Sequence, residues 1–491
     1  MGSAELAFTS RMTLIRAAQK TLDIQYYAIF ADDTTERLFD ALREAAARGV
    51  RIRILLDDFN TSGKNAQVLK LAFEKNIELR LFNPLPGGRG SLALRILSNL
   101  KDVARIQRRM HNKVFVADNA VAITGGRNLG ETYFGQSQGT NFVDIDVLAA
   151  GGAVRELSRS FDQYWNNPLA YPVESLMSLE DIQALKPVPA TDKRSGDAEG
   201  PPAQTPALTA VAAVNGARVI TTPDGVAITL PALPDSTDLN RLNWTWAPSA
   251  MLADKPSKIA ADADSVDESQ DTAVDGLLQL MSQAKTDVLI VSPYFVPGAR
   301  MMGQFAELRQ RGVRVRVLTN SLASNDAVAA HMGYARYRKA LLALGIEIHE
   351  MRAEQKSSLG SMRSSLGNMG STTGSRGGSG ASSRASLHAK VVVVDERILV
   401  IGSMNLDLRS QLQNSEVALV IRSRALSQEA ARLIEPAMAG GSYRVELVNG
   451  QLLWRAPQGS GLNDVTAEPD ASAPLTLLLS LLEPLAPEEM L

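Results

Sequence analysis

Residues 47–56 read "ARGVRIRILL", and residues 310–319 read "QRGVRVRVLT", an almost residue-for-residue match at an offset of 263. Each copy joins the end of a helix to the start of a strand: a glycine closes an amphipathic run, and arginines alternating with Val, Ile or Leu follow. Before the first copy come the strand-like "KTLDIQYYAI" (20–29) and the helical "TERLFDALREAAARGV" (35–50), then "RIRILLDD" (51–58). Strand, helix and strand in that order predict a βαβ unit of a mostly parallel sheet. A second helix over "AQVLKLAFEKN" leads to a strand over "IELRLFN" (77–83). The second copy repeats the order, with "KTDVLIVSPYFV" (285–296), "RVRVLTNS" (314–321), the helical "HMGYARYRKALLALG" and the strand "IEIHEM". A repeat of this size is too long for a solenoid unit. It predicts an α/β protein of two duplicated domains, each a mostly parallel or mixed sheet flanked by helices, packed about a pseudo-twofold axis.

The first domain is expected over 1–185 and the second over 273–440. Between them, 186–272 reads as linker and irregular insert, because "KPVPATDKRSGDAEGPPAQTP" (186–206) is rich in Pro, Gly and charge. Residues 355–386 form a Gly/Ser-dominated loop, whose charged residues after Glu354 are all basic. The remaining 441–491 holds a predicted hairpin, "YRVELVNGQLLWR" with its Asn-Gly turn, and an amphipathic tail. The 491 residues carry 51 Lys and Arg against 53 Asp and Glu, a net charge of -2 that argues against a general polyanion-binding surface. There is no cysteine, hence no disulfide framework, thiolate metal site or cysteine nucleophile. No apolar run reaches the ~20 residues of a membrane span, and "MGSAELAFTSRM" lacks the layout of a signal peptide.

The chemistry rests on a second duplication. "MHNKVFVAD" (110–118) and "LHAKVVVVD" (387–395) share H-x-K-x4-D spacing, giving His111, Lys113 and Asp118 in one half and His388, Lys390 and Asp395 in the other. Seven residues after each aspartate comes a glycine, with Asn128 or Asn405 three further on, in "GGRN" and "GSMN". Strand alternation places each histidine on the face of its lysine, while the aspartates have opposite parity and are expected to support the strand end. Two imidazoles, two ammonium groups and two carboxamides suit phosphodiester chemistry. Lys113, Lys390, Asn128 and Asn405 can stabilise charge on phosphate oxygens. One neutral histidine can attack phosphorus while the other, protonated, donates to the leaving alcohol. Arg127 and Ser403, inside the tails, are further phosphate-binding candidates. Each imidazole needs an acid on its second nitrogen. Glu416, on the strand after the second motif, is expected to orient His388. Asp144 is expected to orient His111, with Asp146 as the alternative. No metal-ligand spacing, Walker loop or dinucleotide fingerprint is present, so no cofactor is expected.

The paired motifs with their G-x-x-N tails resemble the phospholipase D superfamily. The stretches "RRMHNKVFVADNAVAITGGRN", "LTNSLASNDAVAAHMGYARYRK", "GASSRASLHAK" and "GSMNLDLRS" are similar to its bacterial cardiolipin synthase C-type branch, over most of residues 10–460. The superfamily implies metal-independent transfer through a phosphohistidine, with His111 as nucleophile and His388 as acid and base. The branch implies cardiolipin made from two phospholipids: phosphatidylglycerol, with phosphatidylethanolamine as a possible second substrate. The resemblance also extends around His331, Tyr334 and Arg338, which are either structural helix residues or substrate-binding residues at the cleft. One departure is Gly126, which stands where the second half has Ser403.

A lipid substrate requires a membrane surface. Residues 89–109, "RGSLALRILSNLKDVARIQRR", hold apolar side chains at helical spacing among six basic residues and one acid, and read as an interfacial helix for an anionic membrane. The tail "LTLLLSLLEPLAPEEML" is either a second interfacial helix or a partner contact. Together these imply a membrane-peripheral phosphatidyltransferase, at the cytoplasmic face of a bacterial inner membrane. The rivals are a hydrolase of phospholipids, a nucleic-acid phosphodiesterase and an inactive membrane scaffold. The net charge and the 89–109 segment count against the second, so no nucleic acid is expected as partner; the two intact motifs count against the third.

Overall fold

A computed structural model describes residues 1–100, 102–137, 139–184, 211–214, 217–221, 227–230, 233–260, 272–353 and 384–471. The 186–206 linker, the loop residues up to 383 and the C-terminal apolar tail lie outside the described residues.

The chain builds two large mixed sheets, one per half. The first has the strand order Asp146–Ala150, Val121–Gly125, Val114–Ala117, Thr21–Tyr26, Arg51–Asp57, Ile77–Phe82, Ala170–Pro172. Thr21–Tyr26, Arg51–Asp57 and Ile77–Phe82 pair in parallel, and Val114–Ala117, the strand within the first motif, joins antiparallel to Thr21–Tyr26. The second sheet repeats this with Asp287–Val291, Arg314–Asn320 and Glu347–Met351 in parallel and Val391–Val394 antiparallel beside the first of them. The mirrored decapeptides occupy equivalent places. Gly49 (φ +95°) and Gly312 (φ +78°) take the left-handed conformation that ends each helix before its strand. Arg53 pairs with Asp23 across the first sheet, as Arg316 pairs with Asp287 across the second.

The second sheet runs past residues 273–440 on both sides. Ser249–Ala253, from the expected insert, forms one edge beside Val417–Arg422, and the hairpin Ser442–Val448 and Gln451–Arg455 extends the other. The hairpin turns at Asn449 and Gly450, both at positive φ (+52° and +78°), as an Asn-Gly turn requires. Two further expectations change. Gly63–Phe73 is a 3-10 helix rather than an α-helix, with no side-chain cap at its start. Arg384–Leu387, whose first three residues composition placed inside the loop, is a strand paired in parallel with Thr140–Val143 of the other half. Each half has its own core, and a third cluster joins Val114, Val116 and Leu157 to Leu289, Val391 and Leu419, so the halves share buried surface.

The 89–109 segment is not one helix. It forms Leu92–Ser98 and Val103–Gln107, and its polarity is reversed from the amphipathic expectation. Arg89, Arg95, Arg108 and Arg109 are buried, while Leu94, Leu97, Leu100 and Val103 are 68%, 61%, 55% and 44% exposed. The reason is a pair of buried carboxylates at the end of Arg51–Asp57. Asp58 takes both Arg89 and Arg95, and Asp57 takes Arg109 at 3.3 Å. Buried charges demand partners, so the arginines turn inward and the leucines are left at the surface.

Candidate active site

Both motifs begin just before a strand rather than within it, since the strands start at Val114 and Val391. What fixes the histidines is pairing between the halves. Met110 bridges Ser415 in parallel, and the next residues in each chain segment are His111 and Glu416. Leu387 pairs with Val143 in parallel, and the next residues are His388 and Asp144. Each histidine amide donates across the same junction, His111 to the Ser415 carbonyl at 3.0 Å and His388 to that of Val143 at 2.8 Å.

Consequently the acids cross over. His111 Nδ1 lies 3.0 Å from both Glu416 carboxylate oxygens, and His388 Nδ1 lies 2.7 Å from Asp144 Oδ2. The expected same-half pairings are therefore replaced by pairings across the dyad. Asp146, the alternative, is instead bound to Arg11 and Arg127. With Nδ1 of each ring occupied, Nε2 is the nitrogen left for chemistry.

Tight backbone anchors hold this arrangement, and sequence reasoning missed two of them. Asp57 Oδ2 accepts from the Met110 amide at 2.9 Å, and Asn320 Oδ1 accepts from the Leu387 amide at 2.9 Å. Both fix the residue preceding a histidine, and they stand 263 apart, the offset of the decapeptide repeat. Extending that alignment by one residue would have found them. Asp118 and Asp395 sit at the far ends of their strands, in left-handed backbone (φ +52° and +51°). Asp118 accepts from the amides of Gln19, Lys20 and Thr21, and Asp395 from those of Lys285, Thr286 and Asp287. They tie strand ends together and do not reach the imidazoles.

The lysines fold back on their own motifs, Lys113 Nζ donating to the His111 carbonyl at 2.8 Å and Lys390 Nζ to that of His388 at 2.6 Å. Burial pushes Lys113 down to about 7 and Lys390 to about 8. Burial, then Lys113, Lys390 and Arg409, holds His111 well below the ordinary imidazole value, so its ring is neutral. Burial and Lys390 bring His388 to about 4, against the pull of Asp144. Burial raises Glu416 to about 7 although Lys113 opposes it. For Asp144 burial also pushes upward, but the His388 hydrogen bond and Lys390 outweigh it and hold the carboxylate ionised.

The two tails differ in a way the acids explain. The Ser403 hydroxyl is engaged by the acid: it donates to Glu416 and accepts from the Val417 amide at 3.0 Å. Opposite Gly126, a Cβ would lie 2.4 Å from Asp144 Oδ1 and 2.8 Å from Oδ2. The shorter acid reaches its histidine only by occupying the space a serine would need, while the longer Glu416 leaves room for Ser403. Gly126→Ser is therefore expected to displace Asp144 from His388 and to cost about 10²-fold or more in turnover, and to lower the melting temperature as well, because the buried carboxylate loses its partner. Parallel measurements of activity and melting check this.

Arg127 is likewise spent on structure: its donors reach the carbonyls of Met1, Gly2, Tyr133 and Asp144. Asn128 bridges the Tyr133 hydroxyl and the Ala28 amide, at 3.0 and 3.2 Å. Asn405 is buried with Oδ1 unpartnered among the described residues. Aromatic rings complete the walls, with Tyr27 edge-on to His111 and both Tyr133 and Phe142 against His388. Tyr294 donates to Asp326 at 2.9 Å beside Lys390. His331, Tyr334 and Arg338 are not brought to the motifs. Arg338 is shared between Glu350 and Glu468, Tyr334 donates to Glu350 at 2.8 Å, and His331 contacts Glu468 at 3.4 Å, forming a separate buried cluster.

Two histidine–lysine motifs from duplicated halves, each histidine held by the other half's acid, define a single composite phospholipase D-like centre. The profile described as "Cardiolipin synthase, PLD-like domain" matches residues 12–165 and 277–437, and the chain belongs to that family of phospholipase D-like enzymes. It is 35% identical over 425 residues to Cardiolipin synthase C of Escherichia coli K12, covering 86% of this chain and 80% of that one. It is 22% identical over 416 residues to Cardiolipin synthase B of Salmonella typhimurium LT2, covering 84% and 73%. Among solved structures, phosphatidylserine synthase of Haemophilus influenzae Rd KW20 superimposes with a TM-score of 0.60 over 100% of this chain and 94% of that one. At 14% identity, that likeness speaks to the fold alone.

Proposed function

We propose that this phosphatidyltransferase makes cardiolipin from two phospholipids, phosphatidylglycerol as acceptor and phosphatidylglycerol or phosphatidylethanolamine as donor. The carrying observation is the crossed pair of acid-held imidazoles. His111 Nε2 attacks the donor phosphorus as the bond from phosphorus to the headgroup oxygen breaks, and His388 gives that oxygen a proton. The phosphatidyl group now resides on His111. His388 then takes the proton of the acceptor's hydroxyl, whose oxygen attacks phosphorus and frees His111. A bound phosphodiester places a negative charge against Lys113 and Lys390, which steadies the transition state. The same charge offsets the burial and the Lys390 ammonium that depress His388, favouring its protonated form. The four cationic and imidazole groups supply this chemistry without calling on a metal.

Incubation with phosphatidylglycerol vesicles, with and without phosphatidylethanolamine, followed by separation of the lipids tests the reading. Cardiolipin is the expected product. Phosphatidic acid alone would make the protein a hydrolase, and an absence of any lipid turnover would remove the assignment.

No helix among the described residues is long and apolar enough to cross a membrane. We infer peripheral attachment at the cytoplasmic face of an inner membrane, through the exposed ridge Leu94, Leu97, Leu100 and Val103 rather than through arginines. The segment leads directly into His111, so the ridge lies on the side of the sheet where the motifs begin. Insertion of leucines into the interface adds affinity in proportion to the apolar area removed from water. Leu94→Ser combined with Leu97→Ser is expected to weaken vesicle binding on the order of tenfold or more, read by flotation. Unchanged flotation would remove the ridge from the interface.

A further inference from the structure

We propose that a groove beside the first motif is a second ligand site, for one anionic phospholipid, separate from the two-histidine cleft. The groove has a volume of about 550 Å³ and runs between the 84–89 loop and the 171–181 segment. That size is typical of sites that enclose a small ligand. Its walls are mainly apolar, from Pro84, Leu85, Tyr171, Leu176 and Met177, and Tyr171 and Leu176 each remain 39% exposed.

Three charged residues also line it: Arg89, Arg105 and Asp181. Two of them are satisfied within the chain. Arg89 is paired with Asp58, and Asp181 accepts from the amide and hydroxyl of Ser178 at 2.9 and 2.8 Å. Arg105 differs, because its Nε is buried and has no hydrogen-bond partner among the described residues. A buried N–H without an acceptor is costly until one completes it, while the half-buried remainder of the guanidinium stays open to the groove. An apolar channel with a half-buried guanidinium whose Nε lacks an acceptor among the described residues fits an amphiphile whose head is a phosphate and whose body is a hydrocarbon chain. The phosphate oxygens meet Arg105, and an acyl chain lies along Leu85, Tyr171, Leu176 and Met177.

Continuity with the exposed ridge supports a lipid rather than a soluble anion. Arg105 lies on Val103–Gln107, the helix that begins at the exposed Val103. A bilayer touching the ridge would therefore offer its lipids at the groove. The carbonyl of Arg105 also accepts from Arg109 at 2.8 Å and from Asn83 at 3.3 Å, so the site is tied to the segment entering the first motif.

The test uses the full chain and dihexanoyl phosphatidic acid, an anionic phospholipid with no headgroup alcohol to transfer. Its binding is thus independent of whether the protein transfers phosphatidyl groups. Hydrogen exchange is expected to slow in peptides spanning 84–89 and 171–181 when the probe is added. Titration calorimetry should show Arg105→Gln and Leu176→Asp each weakening binding on the order of tenfold. Inorganic phosphate at the same concentration should leave both peptides unprotected. Protection confined to peptides carrying His111 and His388 would overturn the proposal. So would either variant binding like the parent, or inorganic phosphate protecting equally.

Discussion

Replacing His111 by alanine is expected to abolish lipid turnover, and replacing His388 by alanine to lower it by about 10²–10⁴-fold or beyond detection. The expectation rests on one centre assembled from both halves. His111 is held by Glu416 and His388 by Asp144, so neither half contains a complete acid–imidazole pair of its own. Turnover is read as labelled lipid product separated by chromatography. Substantial activity in either variant would mean that each half works alone, and the composite centre would be discarded. Because both imidazoles are nearly buried, melting temperatures should be recorded alongside. A loss of activity in a folded protein carries the inference.

The second large effect separates the two acids by the step each serves. Glu416→Gln and Asp144→Asn are each expected to lower lipid turnover by about 10²–10⁴-fold, the scale seen when an acid orienting a catalytic imidazole is neutralised. A phosphodiester with a p-nitrophenol leaving group should then split them. Such a leaving group departs without a proton, so the acid-side residues lose importance while the nucleophile side does not. With crossed pairing, Asp144→Asn should behave like His388→Ala and retain a burst of p-nitrophenol. Glu416→Gln should behave like His111→Ala and show none. Same-half pairing makes the opposite prediction, in which Glu416→Gln keeps the burst and Asp144→Asn loses it. Rapid-mixing absorbance at the start of the reaction decides between them.

The repeat was legible because backbone requirements leave local marks. Gly49 and Gly312 end equivalent helices in left-handed backbone, and Asn449-Gly450 turns a hairpin. The positions of both motifs were legible for the same reason, since their spacing is a property of one strand and the turn after it. Composition was a poorer guide where long-range partners intervene. The strand Arg384–Leu387 is Ser- and Ala-rich and reads as loop, and only its parallel partner Thr140–Val143 makes it a strand. The 89–109 segment carries the charge pattern of a basic interfacial helix. Helical periodicity gives the side of a helix on which a side chain lies, but not which side faces protein. Asp57 and Asp58 decide that, by drawing Arg89, Arg95 and Arg109 to the interior.

What the sequence by itself determined is the set of residues: two histidines, two lysines and two acids distributed equally over duplicated α/β halves. What only the tertiary structure decided is their pairing. Glu416 follows His388 by 28 residues and Asp144 follows His111 by 33, so chain distance favours pairing within a half. In-register parallel contacts between the halves, Met110 with Ser415 and Leu387 with Val143, instead set each histidine beside the other half's acid. A spacing along one chain cannot encode that choice, because it is made where two strands from different domains meet.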